Sequence, residues 1–307
     1  MADDKTDPVL PPHRSGAISD PDLPLNPYSD DQQPWPGLAA KMDPQPDHGE
    51  QSYKGRDRLT GKRALVTGGD SGIGRAAAIA FAREGADVAI NYHPDEESDA
   101  RTVIALIEAE GRKAVALPAD LRDEAAARQV VDDAVKALGG LEVLVLNAGR
   151  QQAAKSIEDI TSDAFDATIK TNIYAPFWMA QQALPSLKNG ASIIITSSVQ
   201  AFSPSAHLFD YAQTKAANRA FAQALAKQLA PKGIRVNAVA PGPFWTALQV
   251  SGGQFKEKLP EFGAASPLGR PGQPVEIAPI YVLLASDEAS YITGECYAAT
   301  GGSGTGG

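Results

Sequence analysis

The 307-residue sequence predicts an α/β protein with a doubly wound sheet of seven parallel strands and helices on both faces. Two observations support this prediction. Short, continuous apolar segments alternate regularly with helical patterns, and Gly, Pro or Asp bounds most of the apolar segments. Continuous apolar segments are typical of parallel strands covered on both faces, and strand–helix alternation produces right-handed crossovers. The composition does not change after residue 56, so residues 56–307 are predicted to form one domain.

The predicted strands are 63–67, 87–92, 113–117, 141–146, 191–196, 234–239 and 295–299. The predicted helices lie near 73–84, 95–110, 123–138, 161–188, 210–230 and 274–285. Asp123 and Glu124 favour a helix N-terminus, because a carboxylate there stabilises the helix dipole. Pro176 and Pro185 should kink or end the long fourth helix, since proline lacks a backbone N–H. Residues 243–270 contain several Gly and Pro residues, which predicts a mobile lid.

The charge balance excludes some classes of protein. Asp and Glu number 37 against 28 Lys and Arg, a net charge of −9, whereas a nucleic-acid-binding protein needs an excess of basic residues. No apolar run approaches the roughly 18 residues of a membrane span, and the N-terminus lacks the apolar core of a signal peptide. We therefore expect a cytoplasmic protein without nucleic-acid or membrane partners. The single cysteine, Cys296, excludes an intrachain disulfide, and the scattered His and Cys residues predict no metal site.

Residues 1–55 form an acidic, proline-rich extension with ten acidic residues, four basic residues and 10 of the 23 prolines. Such a segment is too polar to build its own core, and many such extensions are disordered linkers. It also carries large apolar side chains, namely Leu23, Leu25, Tyr28, Trp35, Leu38, Met42 and Tyr53. A solvated linker seldom has so many, so the alternative is an extended segment lying on another surface. We hypothesise that this surface belongs to a neighbouring subunit.

A glycine-rich segment, Thr67-Gly68-Gly69-Asp70-Ser71-Gly72-Ile73-Gly74, follows the first predicted strand and opens into a helix. Glycine permits a positive φ and lets a pyrophosphate approach the backbone, and the N-terminus of the helix presents free N–H groups to the anion. The position between a strand and a helix, with a second strand about 20 residues later, distinguishes it from an ordinary turn. The segment predicts a nucleotide site on a Rossmann-like sheet.

The spacing TGxxxGxG resembles that of the short-chain dehydrogenase/reductase family, and three other segments extend the resemblance over about residues 57–302. Asn147-Ala148-Gly149 ends the fourth strand, Pro241-Gly242 follows the sixth, and Asp120-Leu121 ends the third, where the family contacts adenine. The resemblance implies a bound nicotinamide dinucleotide. The predicted cofactor-binding residues are Gly68, Asp70, Ser71, Gly72, Ile73, Gly74, Asn91, Tyr92, Asp120, Leu121, Asn147, Ala148, Gly149, Tyr211, Lys215, Pro241, Gly242, Phe244 and Thr246.

The end of the second strand bears on the choice of nicotinamide. NAD-binding proteins usually place Asp or Glu there to bind the adenosine ribose. Here the strand ends in Ala89-Ile90-Asn91-Tyr92-His93, without a carboxylate to repel a 2′-phosphate. Ser71, Asn91, Tyr92 and His93 could donate hydrogen bonds to that phosphate, although no Arg or Lys clamps it. We predict NADP(H) in preference to NAD(H), which remains the alternative.

Tyr211 and Lys215 lie four residues apart on a predicted helix and therefore share one face. Ser198 lies at the end of the fifth strand, thirteen residues before Tyr211, which is the location and spacing of the family's catalytic serine. The adjacent Ser197 is the alternative, but the spacing selects Ser198. A nearby ammonium, together with the positive nicotinamide, would lower the pKa of a phenol, and a hydroxyl would stabilise charge on a substrate oxygen. The resemblance adds Asn172 as the fourth catalytic residue, positioning a water, and implies that Lys215 holds the nicotinamide ribose.

These residues predict an oxidoreductase that reversibly transfers a hydride between nicotinamide and a small carbonyl or alcohol. The alternative is a nicotinamide-binding sensor or structural protein without turnover, although such proteins commonly lose the Tyr or the Lys. Within the family, the closest likeness is to a bacterial branch with a proline-rich extension, which includes general stress proteins and glucose or ribitol dehydrogenase-like enzymes. The resemblance implies a homotetramer. Candidate substrate-pocket residues are Phe202, Pro204, His207, Leu208, Phe209, Trp245 and Leu248.

Overall fold

The structure is a computed structural model that describes residues 29–305. Its strands are β1 (Arg63–Thr67), β2 (Asp87–Tyr92), β3 (Ala114–Pro118), β4 (Val143–Leu146), β5 (Ser192–Thr196), β6 (Arg235–Pro241) and β7 (Cys296–Ala299). They form one seven-stranded sheet in the order β3-β2-β1-β4-β5-β6-β7. Every neighbouring pair is parallel. The predicted doubly wound, Rossmann-like sheet is therefore confirmed.

The helices are α1 (Gly72–Arg83), α2 (Glu97–Ala109), α3 (Glu124–Leu138), α4 (Ser162–Ile169), α5 (Ala175–Ala183), α6 (Phe209–Leu229) and α7 (Pro274–Ala285). One apolar core joins α1, α2 and α7 to one face of the sheet, and a second joins α3, α5 and α6 to the other. The strand order reverses between β1 and β4, which is where ligands bind in open α/β sheets. Among residues 29–305, no helix has the length and apolar character needed to cross a membrane.

The helix predicted over 161–188 is interrupted, as its prolines suggest. α4 continues into a five-residue π-helical turn, Lys170–Tyr174, and then into α5. Pro176 lacks the N–H that a regular helix would direct to the carbonyl of Asn172, and the Ala175 N–H donates instead to the carbonyl of Lys170. Pro185 lies just after the end of α5. The kink thus falls at the residue predicted to be catalytic, Asn172.

Residues 29–55 of the extension pack on the body of their own chain. Met42 is buried with Trp245, Val250 and Leu259 in a third apolar cluster. Tyr53 joins the core that contains α1 and α7. These residues therefore cover an intramolecular surface, which differs from the hypothesis that they cover a neighbouring subunit. Leu23, Leu25 and Tyr28 lie outside the described residues.

A buried carboxylate anchors the end of the extension to α1. Glu84 accepts hydrogen bonds from the Tyr53 hydroxyl at 2.5 Å and the Arg58 guanidinium at 2.6 Å. Its other oxygen accepts from the backbone N–H groups of Arg56 and Arg58. The chain passes so close to α1 that a Cβ on Gly55 would lie 1.8 Å from the Arg83 carbonyl oxygen. Glycine is therefore required at this point of entry.

The segment predicted as a mobile lid, residues 243–270, is folded into short turns that include a π-helical turn at Gln249–Gly253. Trp245 and Leu259 within it are fully buried. Its backbone also pairs with the extension, since the Gln33 N–H donates to the carbonyl of Val250 at 2.9 Å. The segment and the extension thus form one packed layer over the carboxyl ends of the strands.

Candidate active site

The glycine-rich turn joins β1 to α1 and provides the features that a pyrophosphate needs. Gly68 and Gly72 have φ values of +60° and +51°, which disfavour any other residue. A Cβ on Gly74 would lie 1.9 Å from the carbonyl oxygen of Gly68, so the third glycine permits close packing of the turn. The N-terminus of α1 has no side-chain cap, which leaves its first N–H groups available to an anion. This geometry fits a dinucleotide.

A cleft runs along the carboxyl ends of the strands and contains nearly all of the predicted cofactor-binding residues. Those lining it are Gly68, Asp70, Ser71, Gly72, Ile73, Asn91, Tyr92, Asp120, Leu121, Asn147, Ala148, Gly149, Tyr211, Lys215, Pro241, Gly242, Phe244 and Thr246. Gly74 packs beneath the turn and does not line it. The ends of β1 and β4 are joined by Thr67, whose hydroxyl accepts from the Asn147 and Ala148 N–H groups at 2.8 and 3.0 Å.

Three of the four predicted catalytic side chains meet in this cleft. Tyr211 and Lys215 lie on one face of α6, and the Lys215 Nζ is 5.3 Å from the centroid of the Tyr211 ring. The same Nζ donates to the carbonyl of Thr196 at the end of β5, at 2.8 Å. Ser198 lines the same cleft, and its interaction with the Tyr211 hydroxyl lowers the pKa of that group. A substrate oxygen at this point could contact both hydroxyl groups.

The structure distinguishes the two adjacent serines. Ser197 is fully buried, and its hydroxyl donates to the carbonyl of Lys215 at 2.7 Å. Ser198 lines the cleft, where its oxygen also accepts from the Gln200 N–H at 3.2 Å. Ser197 also lines the cleft, but its hydroxyl is already bonded to the Lys215 carbonyl, so the Ser198 hydroxyl is the better placed of the two to contact a ligand.

Burial drives the two ionisable groups towards their neutral forms. It raises the pKa of Tyr211 to about 12, although the hydrogen bond with Ser198 opposes the rise. It also lowers the pKa of Lys215 to about 8. The expectation that Lys215 depresses the pKa of the phenol is not evident in this state, where burial has the larger effect. Additional positive charge in the cleft would be needed to lower the pKa of Tyr211.

Asn172 does not line the cleft; it is fully buried behind the cleft wall. Its Nδ2 donates to the carbonyl of Arg150 at 2.9 Å and to the Thr214 hydroxyl at 3.0 Å, and its Oδ1 accepts from the Arg150 N–H at 2.7 Å. Thr214 immediately precedes Lys215 on α6. Asn172 therefore joins the loop after β4 to the helix that carries the tyrosine and lysine.

The structure brings a carboxyl group to the end of β2, where sequence reasoning found none. Glu96 lies four residues beyond the strand, but its side chain turns back to accept from the His93 N–H at 3.1 Å and lines the cleft. Asp70 is 1% exposed and lies nearby on the glycine-rich turn. Burial raises the pKa of Asp70 to about 7, and burial together with Asp70 raises that of Glu96 to about 9. The capping-box spacing His-x-x-Glu is the sequence signal for this turn.

The side chains of Asn91 and Tyr92 are engaged within the protein. The Asn91 amide donates to the carbonyls of Leu117 and Ala119 at 3.0 and 3.2 Å. The Tyr92 hydroxyl donates to Glu97 at 2.5 Å. Neither side chain has a donor left for a phosphate. The prediction that these two side chains donate hydrogen bonds to a 2′-phosphate therefore does not fit the structure. Within the described part of the chain, no three His, Cys, Asp or Glu side chains are arranged to hold a metal ion.

Other residues in the cleft were not predicted to be there, and Trp35, Pro36 and Gly37 of the extension are the main ones. Of the candidate substrate-pocket residues, Leu208 and Leu248 line the cleft. Trp245 does not: its ring is fully buried, and its Nε1 donates to the Pro44 carbonyl at 2.8 Å. The side chain of His207 packs on Phe255.

Comparison with protein families gives a match over residues 68–303 to a family described as enoyl-(acyl carrier protein) reductase. Three curated relatives illustrate the similarity. An uncharacterized oxidoreductase, YghA, from Escherichia coli K12 is 59% identical over 275 residues, 90% of this chain and 94% of the relative. General stress protein 39 from Bacillus subtilis is 47% identical over 88% of this chain and 94% of the relative. A glucose and ribitol dehydrogenase from Daucus carota is 43% identical over 88% of this chain and 94% of the relative.

Solved structures with the same fold include two that contain a nicotinamide dinucleotide. One is a short-chain dehydrogenase from Burkholderia cenocepacia J2315 in complex with NADP, with a TM-score of 0.74 and 39% identity. The match covers 80% of this chain and 98% of the Burkholderia chain. A blue fluorescent protein from a metagenomic library in complex with NADPH has a TM-score of 0.74 and 35% identity with the same coverage.

Proposed function

Because this chain is an NAD(P)-dependent oxidoreductase of the short-chain dehydrogenase/reductase family, we propose that it reversibly reduces a small carbonyl compound to an alcohol through Asn172, Ser198, Tyr211 and Lys215. The observation that carries this proposal is the meeting of Ser198, Tyr211 and Lys215 in the same cleft as the glycine-rich turn.

In the proposed reaction the cofactor transfers the hydride and the protein transfers the proton. The bound nicotinamide supplies or accepts the hydride. In the direction of reduction, the Tyr211 hydroxyl gives its proton to the substrate oxygen as the carbonyl carbon receives the hydride, and oxidation reverses both transfers. Ser198 donates a hydrogen bond to the same oxygen while negative charge develops on it. Lys215, held against the Thr196 carbonyl, provides positive charge near the phenol.

Asn172 and the turn around it support this arrangement. The Asn172 side chain holds the backbone of Arg150 and the hydroxyl of Thr214, and Thr214 lies between Tyr211 and Lys215 in the sequence. We assign Asn172 a positioning role through these bonds. The water relay that the family resemblance implies for this residue is a second part of the proposal.

NADP(H) is the proposed coenzyme, with NAD(H) as the alternative. The two solved relatives bound to NADP and NADPH support this choice. The carboxyl groups of Asp70 and Glu96 would repel the negatively charged 2′-phosphate of NADP(H) if both were ionised. Their raised pKa values keep them protonated to a higher pH than ordinary carboxyl groups, which lessens that repulsion.

The proposed substrates are small alcohols and the corresponding aldehydes or ketones. Similarity to a glucose and ribitol dehydrogenase makes sugars and polyols the first compounds to test. The family description also names enoyl thioester reduction. The spacing of Tyr211 and Lys215 does not favour that reaction, because six residues separate the two in divergent enoyl reductases and only three separate them here.

The test is the change in nicotinamide absorbance with a panel of aldehydes, ketones, sugars and polyols, using the wild-type protein and Tyr211→Phe. We expect turnover with at least one compound, and a fall in kcat of at least about 100-fold in the variant, because the phenol is the proposed proton donor. The affinity for the reduced dinucleotide should stay nearly unchanged, since the aromatic ring remains.

Tyr291→Phe is the matched control, because Tyr291 is fully exposed and lies outside the cleft. It should retain the wild-type kcat. Near-normal turnover by Tyr211→Phe would refute the proton-transfer role. Tight dinucleotide binding without turnover on a broad panel would favour the sensor alternative.

A further inference from the structure

The N-terminal extension forms one wall of the cofactor cleft. We define the strap as residues 29–44, which cross the opening of the cleft. Trp35, Pro36 and Gly37 at its centre line the cleft beside Asp120 and Leu121. The strap precedes β1 in the sequence and lies outside the segment that matched the family description, residues 68–303. Its contribution to the site is therefore a feature of this chain's own extension.

Hydrogen bonds fasten the strap on both sides of the cleft. On one side, Asp99 of α2, which is almost fully buried, accepts from the N–H groups of Ala39 and Ala40 at 2.6 and 3.4 Å. On the other side, the Gln33 N–H donates to the carbonyl of Val250, and the Gln32 amide donates to the carbonyl of Gln254 at 3.1 Å. The strap thus connects α2 with the segment 243–270.

Close packing also fixes the centre of the strap. A Cβ on Gly37 would lie 2.9 Å from both the Ala247 carbonyl oxygen and the Ser251 Cβ. Only glycine allows the strap to approach the segment 243–270 this closely. This packing also restricts the position of Trp35, two residues earlier, in the wall of the cleft.

The contacts of Trp35 identify which half of a dinucleotide it would meet. Its ring centroid lies 4.9 Å from that of His93, which follows β2, in an edge arrangement. The Arg122 guanidinium carbon, in the turn after β3, lies 5.4 Å from the ring centroid. The Arg150 guanidinium carbon, after β4, lies at the same distance. His93 and Arg122 therefore place the indole beside the ends of β2 and β3, and Arg150 approaches it from the β4 side.

The ends of β2 and β3 lie on the side opposite the reacting groups. Tyr211 and Lys215 mark the nicotinamide end near β5, and the pyrophosphate belongs at the N-terminus of α1. A dinucleotide that spans these points has its adenosine half over the ends of β2 and β3. An indole ring offers an apolar face to a purine, and base–aromatic stacking contributes substantially to affinity.

We propose that Trp35 is a cofactor-binding residue, which contacts the adenosine half of the dinucleotide and makes the strap part of the binding site. This inference rests on the proposed function. It assigns the extension a direct role in holding the cofactor, and it predicts that the cofactor leaves faster when the Trp35 side chain is removed.

The test measures binding of NADPH and NADH to the full chain by the fluorescence of the reduced nicotinamide, together with displacement by ADP-ribose. Trp35→Ala should weaken both dinucleotides about 10-fold and should weaken ADP-ribose by a similar factor, because a stacked base typically contributes about 1–3 kcal/mol. Dissociation measured by stopped flow should be faster in the variant. Trp35→Phe should stay within about 3-fold of wild type, since it keeps an aromatic face.

Two further variants separate direct contact from a change in the fold. Trp35→Leu keeps apolar volume in the strap but loses the aromatic face, so it should bind nearly as weakly as Trp35→Ala. Leu38→Ala shortens a half-buried strap residue that does not line the cleft, and it should bind both dinucleotides like wild type. Thermal melting of each variant shows whether it is folded.

The outcomes distinguish this inference from the proposed function. Wild-type affinity in Trp35→Ala and Trp35→Leu would overturn the role of Trp35 and leave the proposed function intact. An equal loss of affinity in Leu38→Ala would also overturn it, because the effect would then come from the strap as a whole. A wild-type protein that binds neither dinucleotide would instead refute the proposed function.

Discussion

At the scale of single residues, Asp70 and Glu96 are the carboxyl groups that line the cleft near the end of β2, where we propose that the adenosine half binds. Asp70 lies in the glycine-rich turn, and Glu96 returns to the end of β2 through its bond with the His93 N–H. Asp99 and Asp95 add negative charge and Arg75 adds positive charge around this pair. Burial disfavours ionisation, which raises both pKa values. The charge of this region therefore depends on pH near neutrality.

We expect the affinity for NADPH to fall as pH rises from 6 to 9, and the affinity for NADH to change less. Asp70 ionises as the pH passes its pKa of about 7, followed by Glu96 at about 9. Each new negative charge repels a 2′-phosphate, whereas a ribose hydroxyl can donate to a carboxylate. The measurement is the ratio of the two dissociation constants across this pH range.

Glu96→Gln provides the matched variant, since it keeps the shape of the side chain and removes its charge. At pH 9, where Glu96 is about half ionised, this variant should bind NADPH about 2-fold more tightly than wild type, because the protonated half of the wild type still binds the dinucleotide. A ratio of dissociation constants that is independent of pH in the wild type would show that these carboxyl groups lie away from the phosphate.

At the scale of elements, the end of the extension is held to α1 through Glu84, a fully buried carboxylate that pairs with the 26% exposed side chain of Arg58. Burial by itself would raise the pKa of Glu84, but hydrogen bonds from Arg58, Tyr53 and two backbone N–H groups outweigh it and lower the pKa to about 2. A carboxyl group whose pKa is lower in the folded state stabilises the fold above its unfolded pKa. That contribution is lost as pH falls through the folded value.

Glu84→Gln should lower the free energy of unfolding at pH 7 by about 3 kcal/mol, because it leaves Arg58 without its buried partner. The measurement is urea-induced unfolding followed by circular dichroism. Between pH 5 and pH 2 the wild type should lose stability more steeply than the variant. Exposed Glu108→Gln on α2 is the control and should stay within about 0.5 kcal/mol of wild type.

The elements themselves were largely predictable, because both sheet faces are covered and each strand is a continuous apolar segment. A local signal also located the kink at Pro176, whereas the choice of Ser198 over Ser197 came from the resemblance to the family. The sequence could not place Glu96 or Trp35 in the cleft. Glu96 reaches it only through a turn beyond β2, and Trp35 only because the strap packs on residues more than 200 positions later. Such long-range contacts leave no periodic pattern.

At the scale of the whole molecule, apolar side chains remain exposed on the helices that follow β4. Tyr174 and Phe177, on the π-helical turn and α5, are 45% and 48% exposed. Phe165 on α4 and Phe209 at the start of α6 are also exposed. Clusters of exposed aromatic groups commonly mark interfaces. They support the proposal of a homotetramer built through these helices.

Light scattering should therefore give the mass of a tetramer for the wild type, and a smaller mass for Phe177→Asp, because a buried, unpaired charge would disfavour the interface. Thr102→Asp, on the exposed face of α2, is the control and should keep the wild-type mass. A wild type that is monomeric at micromolar concentration would contradict the proposal.

The route of the strap has a consequence for the order in which the chain folds. The Trp245 Nε1 meets the Pro44 carbonyl across 201 residues, and the Asp47 N–H meets the Gln273 side chain across 226. The extension is synthesised before the body, and these partners follow it by 201 and 226 residues. Contacts so distant in sequence form slowly, and domains generally begin to fold during synthesis. The strap therefore docks after the segment on which it packs has been made, and only then does the cleft gain the wall that contains Trp35.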